Sequence, residues 1–388
     1  MFSSRFHWDL KPNPLTQALH RRRQAGEPIL DLTESNPTRA GFAYPPEIVS
    51  ALNQPGILLY EPSPGGLLAA RSAVAAYYAE RNITITTSGI LLTASTSEAY
   101  AYLFKLLCNP GDEVLVPRPS YPLFEFLADM ESIHLRQYSL SYHGEWGIDF
   151  ESLTAAISSR TRAMILVNPN NPTGTYLKSA ELESLVSLAR DRQIALISDE
   201  VFSDYILPGA TGCVLSLVGA HDCLTFSMSG LSKVAGLPQM KLGWIVVSGP
   251  HDLQAEAVEK LEWIADTYLS VGTPVQHAAA SLLEAGAVVQ REIRQRTLRN
   301  LAFAKDTLAG STANVLNVEG GWYIVLQVPR TRSEEEWALG LLSSEGVLVQ
   351  PGYFFDFESE AFLVVSLLTR PEMFAEGIGR LKRYLEGK

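Results

Sequence analysis

Residues 163–174 read Ala-Met-Ile-Leu-Val-Asn-Pro-Asn-Asn-Pro-Thr-Gly. An unbroken apolar run is the mark of a strand covered on both faces, not of one with a wet side. The two Asn-Pro steps that follow bar a helix at the residue before each proline and hold the chain in a set loop. The same pattern, a short apolar run ending in a polar turn, recurs at ILLTAS (90–95), EVLVP (113–117), QIALISD (193–199), CLTFSM (223–228) and KLGWIVVSG (241–249). Between these runs lie segments with helical apolar spacing: LLAARSAVAAYYAE (67–80), SEAYAYLFKLLC (97–108) and SAELESLVSLARDR (179–192). Asn109-Pro110-Gly111 stops the second of them. The alternation predicts an α/β layered domain around a mainly parallel sheet.

Outward from this core the pattern changes. Residues 1–45 carry many prolines and turn residues and read as an arm with one short strand, ILDLTESNP. Residues 251–308 read as mostly helical, and 313–388 alternate strand, helix, strand, helix as a smaller α+β layer. The expected division is a large domain at 46–285 and a small one made of 1–45 and 286–388.

Composition removes several function classes. Of 388 residues 46% are hydrophobic and 19% charged, so a sizeable core is expected and a disordered chain is not. A net charge of −11 argues against nucleic acid as partner, and the one basic run, Arg21-Arg22-Arg23, is expected on a solvated helix face. Cys108, Cys213 and Cys223 lack metal or redox spacing and are expected as reduced thiols. The first 15 residues have no apolar signal-peptide core, and no stretch of about 18 apolar residues suits a membrane span. A cytoplasmic protein is expected.

Most polar residues of interest follow the strands, where open α/β sheets bind ligands. Ser95-Thr96-Ser97, at a strand end and a helix start, offers free backbone N–H groups and hydroxyls to an anion, or is an ordinary N-cap. Asn168–Gly174 is a ligand loop or a structural turn. Asp199, ending its strand, is a paired or desolvated carboxylate, or a helix-start residue. Lys233, inside SGLSKVAGLP (229–238), is a nucleophile if desolvation lowers its pKa, or a solvated loop lysine. GxxxxGK[ST], GxGxxG after a strand, HExxH and GxSxG are all missing, so no P-loop, dinucleotide, zincin or hydrolase anchor is present, and no metal is expected.

Taken in order along the whole chain, these segments resemble the fold-type I, class I/II aminotransferases that use pyridoxal 5′-phosphate (PLP). The matching pieces are Tyr60–Gly65, STSEA (95–99), PGDEV (110–114), PSYP (119–122), NPNNPTG (168–174), DEV (199–201), SKxxGLP (232–238) and GGWY (320–323). The resemblance implies transfer of an amino group from an amino acid to a 2-oxo acid, with Lys233 carrying the cofactor as a Schiff base and then shuttling a proton. It implies that Asp199 faces the pyridine nitrogen, Asn171 the ring hydroxyl and Tyr121 the ring face. Ser95, Thr96, Ser97, Ser232 and Lys241 would hold the phosphate. Tyr60 would reach the phosphate of a neighbouring subunit, which implies a homodimer with shared sites.

The chain also departs from that family. Phe202 stands where a tyrosine is usual, with Tyr205 as a possible substitute. Lys241 replaces an arginine, keeping the charge and losing the fork. Gly230 replaces a serine, with Ser229 beside it. Val364 stands where relatives have the arginine that clamps the substrate carboxylate, and Arg370 is the expected replacement, if the chain folds back at Leu368-Thr369. Two rival functions remain open at this stage. One is another PLP reaction on the same fold, such as a carbon–sulfur β-lyase. The other is a PLP-binding regulator, for which the acidic charge and the short segment ahead of the first match are unfavourable.

Overall fold

The computed structural model describes residues 2–219 and 222–387. A two-residue strand, β1 (Leu30–Asp31), precedes the main sheet. That sheet is built from β2 (Ile90–Thr93), β3 (Glu113–Arg118), β4 (His134–Tyr142), β5 (Trp146–Ile148), β6 (Thr161–Val167), β7 (Ala195–Asp199), β8 (Thr225–Gly230) and β9 (Gly243–Ser248). Its eight strands run in the order β2-β9-β8-β7-β6-β3-β4-β5. The four central contacts, from β8 through β7, β6 and β3 to β4, are parallel. The antiparallel contacts lie at the two edges, β2 with β9, β9 with β8, and β4 with β5.

The apolar runs of the sequence are the buried strands: every residue of β2, β8 and β9 is buried, and β6 and β7 nearly so. Helices Thr96–Leu107 and His251–Asp266 cover one face with Leu103, Phe104, Ala257 and Leu261, and helix Ser179–Arg192 covers the other with Leu185 and Ala189. The family resemblance implies a seven-stranded type of sheet, and here there are eight strands because β4 closes on a three-residue partner, β5, at the edge. β4 reads HLRQYSLSY, a mixed polar strand with one wet side, and so lacks the apolar run that marked the others.

Beyond the main sheet come β10 (Asn314–Val315), β11 (Tyr323–Gln327), β12 (Val347–Leu348), β13 (Gln350–Pro351) and β14 (Phe362–Ser366). An antiparallel sheet runs β10-β11-β14-β13, and β1 pairs in parallel with β12. Its core includes Leu32, Trp337, Phe374 and Leu381. The 36-residue helix Thr273–Leu308 joins the two regions: Ala278, Leu282 and Val289 pack against the core around Trp244, and Leu301, Ala304 and Leu308 pack under the small sheet.

Strand order decides where the chemistry gathers. β6, β7 and β8 are adjacent and parallel, so Asn168, Asp199 and Lys233 leave one edge of the sheet together. β2 is antiparallel to β9, and β9 to β8, so the end of β2 lies on that same edge. Gly243, at the start of β9, pairs with both Thr93 and Gly230.

Candidate active site

One cavity at this edge is lined by Ser95, Thr96, Ser97, Tyr121, Asn171, Asp199, Phe202, Ser232, Lys233 and Lys241, with Ser35, Tyr100 and Tyr323 joining them. Nine of the eleven residues singled out from the sequence therefore meet on its wall. Tyr60 and Arg370 do not.

Lys233 stands in a single helical turn, Leu231–Val234, directly after β8. Its Nζ lies 4.9 Å from the centroid of Trp322 and 5.5 Å from that of Phe202. Burial against these rings pushes its pKa down to about 8, and the charge of Asp199 only partly opposes this. At pH 7 about a tenth of the amine is therefore neutral and nucleophilic, far more than for a solvated lysine.

Asp199 is the last residue of β7. Its Oδ1 accepts the Val201 N–H at 3.3 Å and its Oδ2 accepts the Tyr100 hydroxyl at 3.0 Å. Burial raises its pKa, while these two donors and Lys233 pull it back. The neighbouring Glu200 is a structural bracket: its carboxylate accepts Ser216 Oγ at 2.6 Å and the Leu217 N–H at 2.8 Å, away from the cavity.

Ser95 caps helix Thr96–Leu107, its Oγ accepting the Glu98 N–H at 3.2 Å. The capping reading and the anion reading of this segment coexist, since the helix start opens onto the cavity. Asn171 is buried, and its Oδ1 has no hydrogen-bond partner among the described residues. Gly230 has a steric cause: a Cβ there would lie 2.9 Å from Gly243 Cα and 2.9 Å from Leu242 O. Ser229 does not stand in for the missing serine, being buried on the strand with its Oγ unpartnered and off the cavity wall. Tyr205 does not stand in for the phenol missing at Phe202 either. Its hydroxyl donates to the Lys233 carbonyl at 2.6 Å, and the residue is absent from the cavity wall.

The structure does not bring Arg370 to the cavity, contrary to the expectation from the sequence. Leu367 N donates to Trp322 O, Leu368 N to Ser366 Oγ, and Thr369 Oγ1 to Asp31 O, so the chain past β14 is pinned and does not fold back. Arg370 is exposed just before helix Pro371–Leu385, with its guanidinium against Gly41. Val364 is fully buried inside the small sheet, paired with Val325 and Gln350. Among the described residues the cavity wall carries two cations, Lys233 and Lys241, and no arginine. Tyr60 is 72% exposed and lines a separate cleft with Glu61, Pro62 and Gln276.

Sequence reading missed Ser35, Tyr100 and Tyr323 as wall residues. Tyr100 had a usable signal, since it lies four residues after Thr96 and so one turn further along the same helix face. Ser35 had none, because the pairing of β1 with β12 decides where its segment lies.

These groups fit PLP on their own chemistry. A partly neutral lysine suits the aldehyde, an anion-binding helix start with hydroxyls suits the phosphate, and a buried carboxylate and an unpartnered amide suit the ring's polar atoms.

Comparison with known proteins agrees. A family model described as "Aminotransferase class I and II" matches residues 27–381. The glutamate–pyruvate aminotransferase AlaA of Haemophilus influenzae is 28% identical over 384 residues, covering 96% of this chain and 94% of that protein. An alanine aminotransferase of Mycobacterium tuberculosis is also 28% identical, covering 96% and 89%. Among solved structures, an aminotransferase from Escherichia coli superposes with a TM-score of 0.85 at 26% identity, covering 100% of this chain and 98% of that one. Alanine aminotransferase from Pyrococcus furiosus gives 0.90 at 24% identity over 100% of both chains.

Proposed function

The chain belongs to the class I and II aminotransferases, PLP-dependent enzymes that move an amino group from an amino acid to a 2-oxo acid, and from that premise we propose how its own residues do this. The observation that carries the reading is the meeting of Lys233, Asp199, Asn171 and the Ser95–Ser97 helix start on one wall. PLP, when bound, supplies an electron-withdrawing ring that takes up charge released at the substrate Cα.

Lys233 would hold the cofactor through Nζ, and the same amine would take the proton from the substrate Cα and later return one. Its lowered pKa suits both tasks. Asp199 would keep a proton on the ring nitrogen by offering a buried anion to it. Asn171 would hold the ring hydroxyl and one side of the substrate, and Tyr121, 47% exposed, would support the ring. Ser95, Thr96, Ser97, Ser232 and Lys241 would hold the phosphate, with helix N–H groups supplying part of the field. With no guanidinium on the wall, the substrate carboxylate meets neutral donors, of which Asn171, Ser35 and Tyr323 are in place. Burial pushes the Tyr323 phenol up to about 12, so it stays a proton donor.

The active form is proposed to be a cytoplasmic homodimer. Consecutive exposed apolar residues support the dimer: Leu58 is 91% exposed and Leu59 65%, beside Tyr60, which stands outside this chain's own cavity. Free cysteines support the compartment, and no described helix is long and apolar enough to cross a membrane. The two-domain division at 46–285 against 1–45 with 286–388 is likewise proposed, supported by the β1–β12 pairing.

The test is a half-reaction screen of the PLP-loaded protein with single amino acids, beginning with glutamate and alanine, which the relatives' names suggest. Loss of the visible cofactor band with one oxo acid formed per site supports the reading. Ammonia released in place of retained nitrogen would overturn it in favour of lyase chemistry.

A further inference from the structure

Asp199 accepts a hydrogen bond from a residue that no part of the proposed function uses. Tyr100 lies on helix Thr96–Leu107, whose first turn opens onto the cavity. It is 3% exposed, and its ring packs edge-on against Phe124 at 5.3 Å and lies 6.0 Å from Phe104. From that fixed position its hydroxyl donates to Asp199 Oδ2 at 3.0 Å. The other carboxylate oxygen takes the Val201 N–H at 3.3 Å. No arginine, lysine or histidine forms an ion pair with Asp199 among the described residues, so its nearest support comes from two neutral donors.

The two donors differ in what they can fix. The Val201 N–H comes from the turn that follows Asp199 and cannot by itself set the plane of the carboxylate. The Tyr100 hydroxyl comes from another element, 99 residues away in the chain, and approaches the second oxygen. Together they hold both oxygens and leave lone pairs toward the cavity. A hydrogen bond to the charged form also favours that form, against the cost of burial.

We propose that Tyr100 is a positioning residue for the cofactor: its hydroxyl orients Asp199 and keeps it an anion, so that the ring nitrogen keeps its proton. The inference rests on the reading that Asp199 faces the ring nitrogen. A phenol suits the role because burial and the adjoining Asp199 charge raise its own pKa well above the usual value, so it stays a donor. The alternative is that Tyr100 only fills space between the helix and the sheet. The two differ in what the hydroxyl alone should do.

Tyr100→Phe removes that hydroxyl and keeps the ring. Wild type, Tyr100→Phe and Asp199→Asn are each titrated as apoprotein with PLP and with its 1-deaza analogue, in which a CH replaces the ring nitrogen. The holo forms made with ring-¹⁵N-labelled PLP are compared by the nitrogen chemical shift. We expect Tyr100→Phe to weaken PLP binding by about tenfold, the scale of a lost hydrogen bond to a charged group, and to leave binding of the deaza analogue within about twofold of wild type. The ¹⁵N shift should move from the protonated value toward the neutral one. Equal weakening toward both cofactors with an unmoved ¹⁵N shift would reduce Tyr100 to packing and overturn the inference. Asp199→Asn separates the two levels: if it too leaves the shift unmoved, the reading of Asp199 fails, and if it alone moves the shift, only the inference about Tyr100 fails. Tyr100→Leu, a second side chain without a hydroxyl, serves the same comparison should the phenylalanine variant not fold.

Discussion

At the scale of single residues, Lys233 carries the strongest expectations. Lys233→Ala should bind PLP without a covalent link and lose essentially all transamination, read by denaturing mass spectrometry of borohydride-treated protein and by turnover. Wild-type turnover in that variant would remove Lys233 from the chemistry. The surroundings of the amine also predict a pH dependence. Burial against Trp322 and Phe202 brings its pKa to about 8, and only the neutral amine attacks an aldehyde. The rate at which apoprotein attaches PLP should therefore be low where the ammonium dominates and rise with pH through about 8. Stopped-flow absorbance would measure this. A midpoint above about 10, where a solvated lysine titrates, would show that burial does not tune Lys233.

Elements show why some departures from the family pattern are tolerated. Gly230 sits where β8 approaches β9 closely, and a Cβ would press on Gly243 and Leu242 backbone atoms at 2.9 Å. Gly230→Ser should lower stability by about 1–3 kcal/mol through overpacking, measured by urea denaturation. An unchanged midpoint would mean that the two strands can part without cost. The pinned segment after β14 leads to a different expectation. Because Leu367, Leu368 and Thr369 are tied to the core, Arg370 stays outside the cavity, and Arg370→Ala should leave kcat/KM for amino acids within about twofold of wild type. A loss of a hundredfold or more would mean that Arg370 reaches the substrate after all. Element boundaries were legible to differing degrees. The segment SAELESLVSLARDR forms a helix over the same span, Ser179–Arg192, because its apolar spacing and its ends agree. β4 was not legible, since its half-wet face mixes polar and apolar residues in a way that resembles a loop.

For the molecule as a whole, the exposed Leu58-Leu59-Tyr60 segment predicts assembly. Light scattering should give about twice the 42.6 kDa chain mass. In the assembled protein Tyr60→Phe should weaken PLP binding by about tenfold, if the phenol donates to the partner's phosphate. A monomer with full activity would contradict the shared site, and unchanged affinity in the dimer would release Tyr60 from the phosphate. Much of the architecture was settled by sequence alone. Continuous apolar runs specify strands buried on both faces, and Asn-Pro steps and small residues after them specify the loops, because these are preferences of local backbone and burial. Lys233, Asp199, Asn171 and the Ser95–Ser97 turn were legible for the same reason: each ends or closely follows a recognisable strand. Only the tertiary structure decided what surrounds them. Strand order placed β2, β6, β7 and β8 with one common edge, the β1–β12 pairing carried the chain toward Ser35, and helix packing turned the Tyr100 hydroxyl onto Asp199. It also kept Arg370 out, through two hydrogen bonds to distant parts of the chain, at Trp322 and Asp31, and a local one to Ser366. Spacing along a chain reports what one element does by itself, whereas a contact across 99 residues depends on which elements become neighbours, and that is set by the packing of the whole core.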